Sequence, residues 1–115
     1  MSVTIKRVYL AAADDDGYRI LVDRLWPRGL GKEAARIDQW LKSIAPSDEL
    51  RRWFGHDPQR WEGFQRRYRT ELDANPEAVR ELRRALEVHS RATLLFAARD
   101  PTRNNAAVLA AYLGG

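Results

Sequence analysis

The chain has 115 residues, 44% hydrophobic and 31% charged, with a formal net charge of +4. That length and balance suit one globular domain over residues 1–115. The lack of cysteine excludes disulfides, thiolate nucleophiles and thiolate metal sites. No apolar run approaches the ~20 residues of a membrane span and no secretory leader is evident, so a cytoplasmic protein without a membrane partner is expected. Of the 20 basic residues 17 are Arg, the side chain suited to planar, bidentate recognition of carboxylate and phosphate.

Val3 to Leu10 alternates as a strand with both faces partly covered. Asp14-Asp15-Asp16-Gly17 signals a turn, and Tyr18 to Leu25 reads as a second strand. The connection is too short for a helical crossover, so these two strands, if adjacent, should pair antiparallel. Ile37, Trp40, Leu41 and Ile44 then fall at i, i+3, i+4 and i+7, which predicts a helix ended by Pro46. Ser47 caps a short helix stopped by Gly55, and Asp57-Pro58 opens the next, with Trp61, Phe64, Tyr68 and Leu72 as its stripe. Asn75-Pro76 repeats the device for a helix bearing Val79, Leu82 and Leu86. Glu62/Arg66, Arg67/Glu71 and Arg83/Glu87 lie at i, i+4 and predict solvated, ion-paired helix faces.

Ala92 to Ala98 is a short, continuous apolar run, as expected of a strand buried on both faces. Asp100-Pro101 or Thr102 opens a last helix carrying Val108, Leu109, Tyr112 and Leu113. The sum is a small α/β domain: a short mixed sheet of about three or more strands, flanked by about five helices.

No phosphate-binding loop, dinucleotide fingerprint or Gly-x-Ser-x-Gly elbow occurs, and His56 and His89 stand apart from any cluster of ligands. Neither a cofactor nor a metal is called for. The chemistry instead concentrates after two strands. Asp23, Arg24 and Arg28 follow one, and Arg99 and Asp100 follow the other. If the strands are parallel neighbours, both sets emerge at one carboxyl edge, where α/β proteins place ligands. Arg24 and Arg28 are then anion clamps, Asp23 an orienter or general base, and Arg99 with Asp100 the opposite wall. His56, before the Asp57 cap, is a further acid/base candidate.

The expected ligand is an anionic small molecule, phosphorylated or nucleotide-like, with hydrolase or transferase chemistry as an option. Two alternatives stand beside it: a nucleic-acid module using the Arg-rich helices, bound weakly and lost with salt, and an interaction domain in which the same charges form a structural ion-pair network. The oligomeric state is not legible.

Val22-Asp23-Arg24-Leu25-Trp26-Pro27-Arg28-Gly29-Leu30, Trp40-Leu41-Lys42 and Trp53-Phe54-Gly55-His56-Asp57-Pro58 resemble the bacterial family called domain of unknown function 488, in its YeaO-like branch. Thr93-Leu94-Leu95-Phe96-Ala97-Ala98-Arg99-Asp100 and Asn104 extend the resemblance over nearly the whole chain. It implies a compact α/β domain and no particular reaction, and it adds Asn104 to the ligand-binding set. Two positions depart from the family pattern: Arg99, where Lys is common, and Arg103, where His commonly precedes the Asn. The cysteine-and-histidine segment of another branch has no counterpart here.

Overall fold

The computed structural model describes residues 2–114. Its sheet consists of β1 (Ser2–Arg7), β2 (Tyr18–Leu21), β3 (Gln39–Trp40) and β4 (Arg91–Phe96), in the spatial order β1-β4-β2-β3. All three pairings are parallel, with Ile5 opposite Leu94 and Ile20 opposite the same residue from the other side. The helices are α1 (Lys32–Ala35), α2 (Asp48–Phe54), α3 (Trp61–Asp73), α4 (Pro76–Val88) and α5 (Asn105–Gly114).

The α/β class and the number of helices match expectation, although α1 stands where none was expected, and the sheet is parallel rather than mixed. β1 and β2 are not adjacent, because β4 enters between them late in the chain. Residues 8–17 return from the end of β1 to the start of β2 through a 3-10 turn at Asp14–Asp16. Asp16 pins that return: its carboxylate accepts from Lys6 of β1, from Arg19 of β2 and from the Ala13 amide, while its carbonyl accepts from Thr93 of β4. Gly17 is required beside it. Its φ is +68°, and a Cβ there would lie 2.3 Å from the Arg91 carbonyl oxygen.

Alternation along the strands divides the core in two. Ile20, Leu94 and Phe96 face Leu50, Phe64, Tyr68, Leu82, Leu109 and their neighbours, while Leu21 and Leu95 turn to the opposite face against Val8, Trp26, Ile37 and Trp40. β4 is therefore the central strand, covered on both faces as its unbroken apolar run suggested.

The helix expected through Ile37–Ile44 does not form. Gln39 and Trp40 add the edge strand β3, and residues 42–44 make a single 3-10 turn. The helical spacing was coincidental: Ile37 and Trp40 join the core on one face of the sheet, Leu41 and Ile44 the core on the other. The caps at Ser47 and Asp57 form, accepting from the Leu50 and Gln59 amides. Asn75 precedes α4 but donates to the Ser43 carbonyl instead of capping. The spaced pair Arg67/Glu71 gives way to tertiary contacts on both sides. Glu71 accepts from the Ser47 amide and hydroxyl, and Arg67 lies 3.9 Å from the centre of the Trp53 ring. Among the described residues no helix is long and apolar enough to cross a membrane.

Candidate functional site

Because β2 and β4 are parallel neighbours, the segments after them share the carboxyl edge of the sheet. There a cleft of about 960 Å³ opens, within the size range of small-molecule sites. Asp23, Arg24, Arg28, His56, Arg99, Asp100 and Asn104 all line it. So do Arg7, Tyr9, Arg51, Phe54 and Asn105, which sequence reasoning did not assign to a site.

The segment after β2 is held by two indoles, its own Trp26 and Trp40 of β3. Trp40 Nε1 donates to the Asp23 carbonyl (2.8 Å), and Trp26 Nε1 to the Leu30 carbonyl (2.6 Å). The two indoles meet edge to face at 5.5 Å. Gly29, at φ +77°, completes the turn and leaves Arg28 exposed at its tip. The Tyr9 hydroxyl donates to the Arg28 carbonyl (2.8 Å), and the Arg7 guanidinium lies 4.8 Å above the Tyr9 ring. The end of β1 thus braces the loop that carries Arg28.

Both carboxylates accept from backbone or side-chain amides, and Asp100 also lies 3.8 Å from the exposed Arg103 guanidinium. Asp23 is half-buried; one of its oxygens accepts from the Ala97 amide and the other from Asn105 Nδ2, each at 2.9 Å. Burial pushes its carboxyl above the usual range, and those hydrogen bonds, with the charges of His56 and Arg51, offset only part of that push. Asp100 accepts from the Arg103 and Thr102 amides and the Thr102 hydroxyl, and the two amides hold its carboxyl below the usual range. Asn104 is buried and caps α5: its Oδ1 accepts from the Ala107 amide, and its Nδ2 donates to the Asp100 carbonyl. Asp100 and Asn104 therefore shape the wall of the cleft with local bonds. α5 begins at Asn105, later than Asp100 or Thr102, so the neighbouring amide, Asn105, is the one that reaches Asp23.

The arginines are less committed. Arg24 and Arg51 share the half-exposed Asp48 at 3.9 and 3.4 Å, and Arg7 donates to the Ala98 carbonyl. Arg28 and Arg99 form no salt bridge among the described residues, and both are exposed. The ion-pair network weighed for Asp23, Arg24, Arg28, Arg99 and Asp100 is absent: no two of these five residues pair with each other among the described residues. His56 is exposed at the cleft with φ +57°, directly after Gly55 in the same left-handed region. A non-glycine residue held there is uncommon and clusters at functional sites. No group of three or more His, Cys, Asp or Glu gathers to hold a metal among the described residues.

Fold and site together define a small parallel α/β protein with an arginine-lined cleft at the carboxyl edge of its sheet. The chain belongs to the domain of unknown function 488 (DUF488) family: residues 2–114 match the family model described as the inactive DUF488-N3 subclade. It is 45% identical over 113 residues to an uncharacterized protein of Mycobacterium tuberculosis H37Rv, covering 98% of this chain and 94% of that one. It is 42% identical over 115 residues to the uncharacterized protein YeaO of Escherichia coli K12, covering 98% of this chain and 97% of that one. No solved structure matches.

Proposed function

We propose that this chain binds a phosphorylated or nucleotide-like small anion at the carboxyl edge of the sheet and does not turn it over. The observation that carries the reading is the charge balance of the cleft. Five arginines from four segments line it, and its two carboxylates, Asp23 and Asp100, are already bonded to amide and hydroxyl donors. Arg24 and Arg51 share the half-exposed Asp48, whereas Arg28 and Arg99 have no carboxylate partner among the described residues. Guanidinium groups left so in a concave site are matched to an incoming phosphate or carboxylate. Arg28 and Arg99 are the leading clamps, Arg24 and Arg51 a second pair on the α2 side, and His56 a further donor to the anion.

Recognition without turnover is supported in two ways. The matching family model is described as an inactive subclade. The residues lining the cleft also include no serine, threonine, cysteine or lysine, and its two carboxylates are each bonded to protein amides rather than to an activating base. Less supports a nucleic-acid interface. On the helices Arg67 is stacked on Trp53 and Arg83 donates to the Leu113 carbonyl, with Glu77, Glu81 and Glu87 interspersed along α4.

Calorimetric titration with inorganic phosphate and with a single-stranded oligonucleotide, each at low and at physiological salt, tests the reading. Saturable one-to-one phosphate binding that survives physiological salt is expected, while oligonucleotide binding should be weak and fall steeply with salt. Tight oligonucleotide binding at physiological salt, with no phosphate binding, would replace this reading with the nucleic-acid one.

A further inference from the structure

Asp23 is out of place in a cleft built only for anions. It is half-buried, it lines the cleft, and no Lys, Arg or His nitrogen lies within 4.0 Å of it among the described residues. An ionised carboxylate offers about four acceptor positions, and here each oxygen receives one protein hydrogen bond, from Ala97 or Asn105. Each oxygen keeps an unused lone pair, and a carboxylate beside an arriving anion repels it unless a donor comes between them. The second observation is apolar. Tyr9 and Leu25 are large side chains left 38% and 58% exposed, and both line this same cleft. A ligand that is only phosphate or sulfate would use neither feature.

We infer that the ligand carries, besides its phosphate, a flat nitrogen heterocycle whose edge presents two adjacent N–H donors to Asp23, as guanine does. This rests on the anion-binding reading and names the ligand of that same site. The phosphate meets Arg28 and Arg99, the ring is flanked by Tyr9 and Leu25, and the two oxygens of Asp23 accept from the ring and exocyclic N–H groups. Among the common bases guanine alone sets two N–H donors side by side on that edge. Adenine and cytosine each set an acceptor nitrogen beside their donor, which the carboxylate repels. Asp23 is then a specificity-determining residue that contacts ligand, and it needs no proton transfer.

The test compares inorganic phosphate, GMP and AMP as ligands of the full chain and of Asp23→Asn, by calorimetry. GMP should bind the parent at least about tenfold more tightly than AMP, the size of effect expected when a charged acceptor meets its matched donors. In Asp23→Asn the two variables should move in opposite directions. Phosphate should bind more tightly, by about twofold or more, because a negative charge has left the cleft. The preference for GMP over AMP should disappear. A purely structural role for Asp23 would weaken every ligand alike. Should Asp23→Asn fail to fold, GMP methylated at the ring N1 decides on the parent alone, and it should bind no better than AMP. Equal binding of GMP and AMP to the parent, or a preference that persists in Asp23→Asn or after methylation, overturns this inference while leaving anion binding intact. Indifference of the parent to all three ligands overturns both.

Discussion

On the loop-covered face of the sheet, Asp16 and Arg19 are buried, and Lys6 reaches over from β1 to complete a triad. Arg19 also donates to the Ala35 and Arg36 carbonyls, so each charge of the triad has a protein partner. At the carboxyl ends of the same strands the arrangement is reversed. Asp23 bonds only to neutral groups, Asp100 to amides, a hydroxyl and the exposed Arg103 at 3.8 Å, and Arg28 and Arg99 stand exposed without carboxylate partners among the described residues. Both regions are rich in Asp and Arg, so composition does not separate them. What separates scaffold from site is whether the charges satisfy one another. The triad ties β1, β2 and the 8–17 loop together, whereas the cleft keeps its cations available.

The contrast breaks most visibly at Asp16. Asp16→Ala strands Arg19 and Lys6, and loss of one partner from a buried charge cluster costs roughly 3–5 kcal/mol. Urea unfolding should show that loss, and a change below about 1 kcal/mol would mean that the triad is not a structural tie. Asn105→Ala is next in size. It removes one donor from Asp23, and an under-satisfied buried polar group costs about 1–3 kcal/mol. The same variant should also weaken anion binding, which Asp16→Ala, if still folded, should not.

The two carboxylates should also differ in pH dependence, with opposite signs. Burial pushes the Asp16 carboxyl up, but the Ala13 amide with Lys6 and Arg19 outweighs it, so its folded value lies below the ordinary 3.8. Its contribution to stability is present above pH 3.8 and is lost as pH falls below it. Burial raises the folded value of Asp23 above 3.8, so its contribution is present below pH 3.8 and is lost as pH rises through that higher value. Melting temperatures across this range should show the deficit of Asp16→Asn shrinking in acid, and Asp23→Asn gaining on the parent as pH rises. Parallel curves for the two variants would contradict the distinction drawn between the regions.

Much of this organisation was legible in the sequence, and the failures have physical causes. The apolar run ending in Arg99-Asp100 marked the central strand, and Ser47, Gly55 and Asp57 marked real helix boundaries. Parallel placement of the strands before Asp23 and Arg99 followed from the shared logic of their ends. The segment 37–44 misled because side chains bound for opposite faces of the sheet mimic one helical stripe at four positions. Arg7 and Arg51 carry no local signal. One ends a strand and the other sits mid-helix, and only the β1-β4-β2 order and the docking of α2 bring them to the cleft. Asn104 and Asn105 were separable only by where α5 begins, and a one-residue boundary decides which amide caps and which reaches Asp23.

The smallest stability effect carries the central claim. Arg28 is exposed, and among the described residues its side chain has no ion-pair partner, so Arg28→Ala should alter unfolding free energy by no more than about 0.5 kcal/mol. The decisive measurement is the rise in melting temperature that inorganic phosphate confers on the parent and on this variant, since a ligand stabilises only the state it binds. A clear, saturable rise is expected for the parent, and little or none for Arg28→Ala at nearly unchanged intrinsic stability. A parent indifferent to phosphate, together with an Arg28→Ala chain that melts several degrees lower, would contradict that claim and make the loop after β2 part of the scaffold.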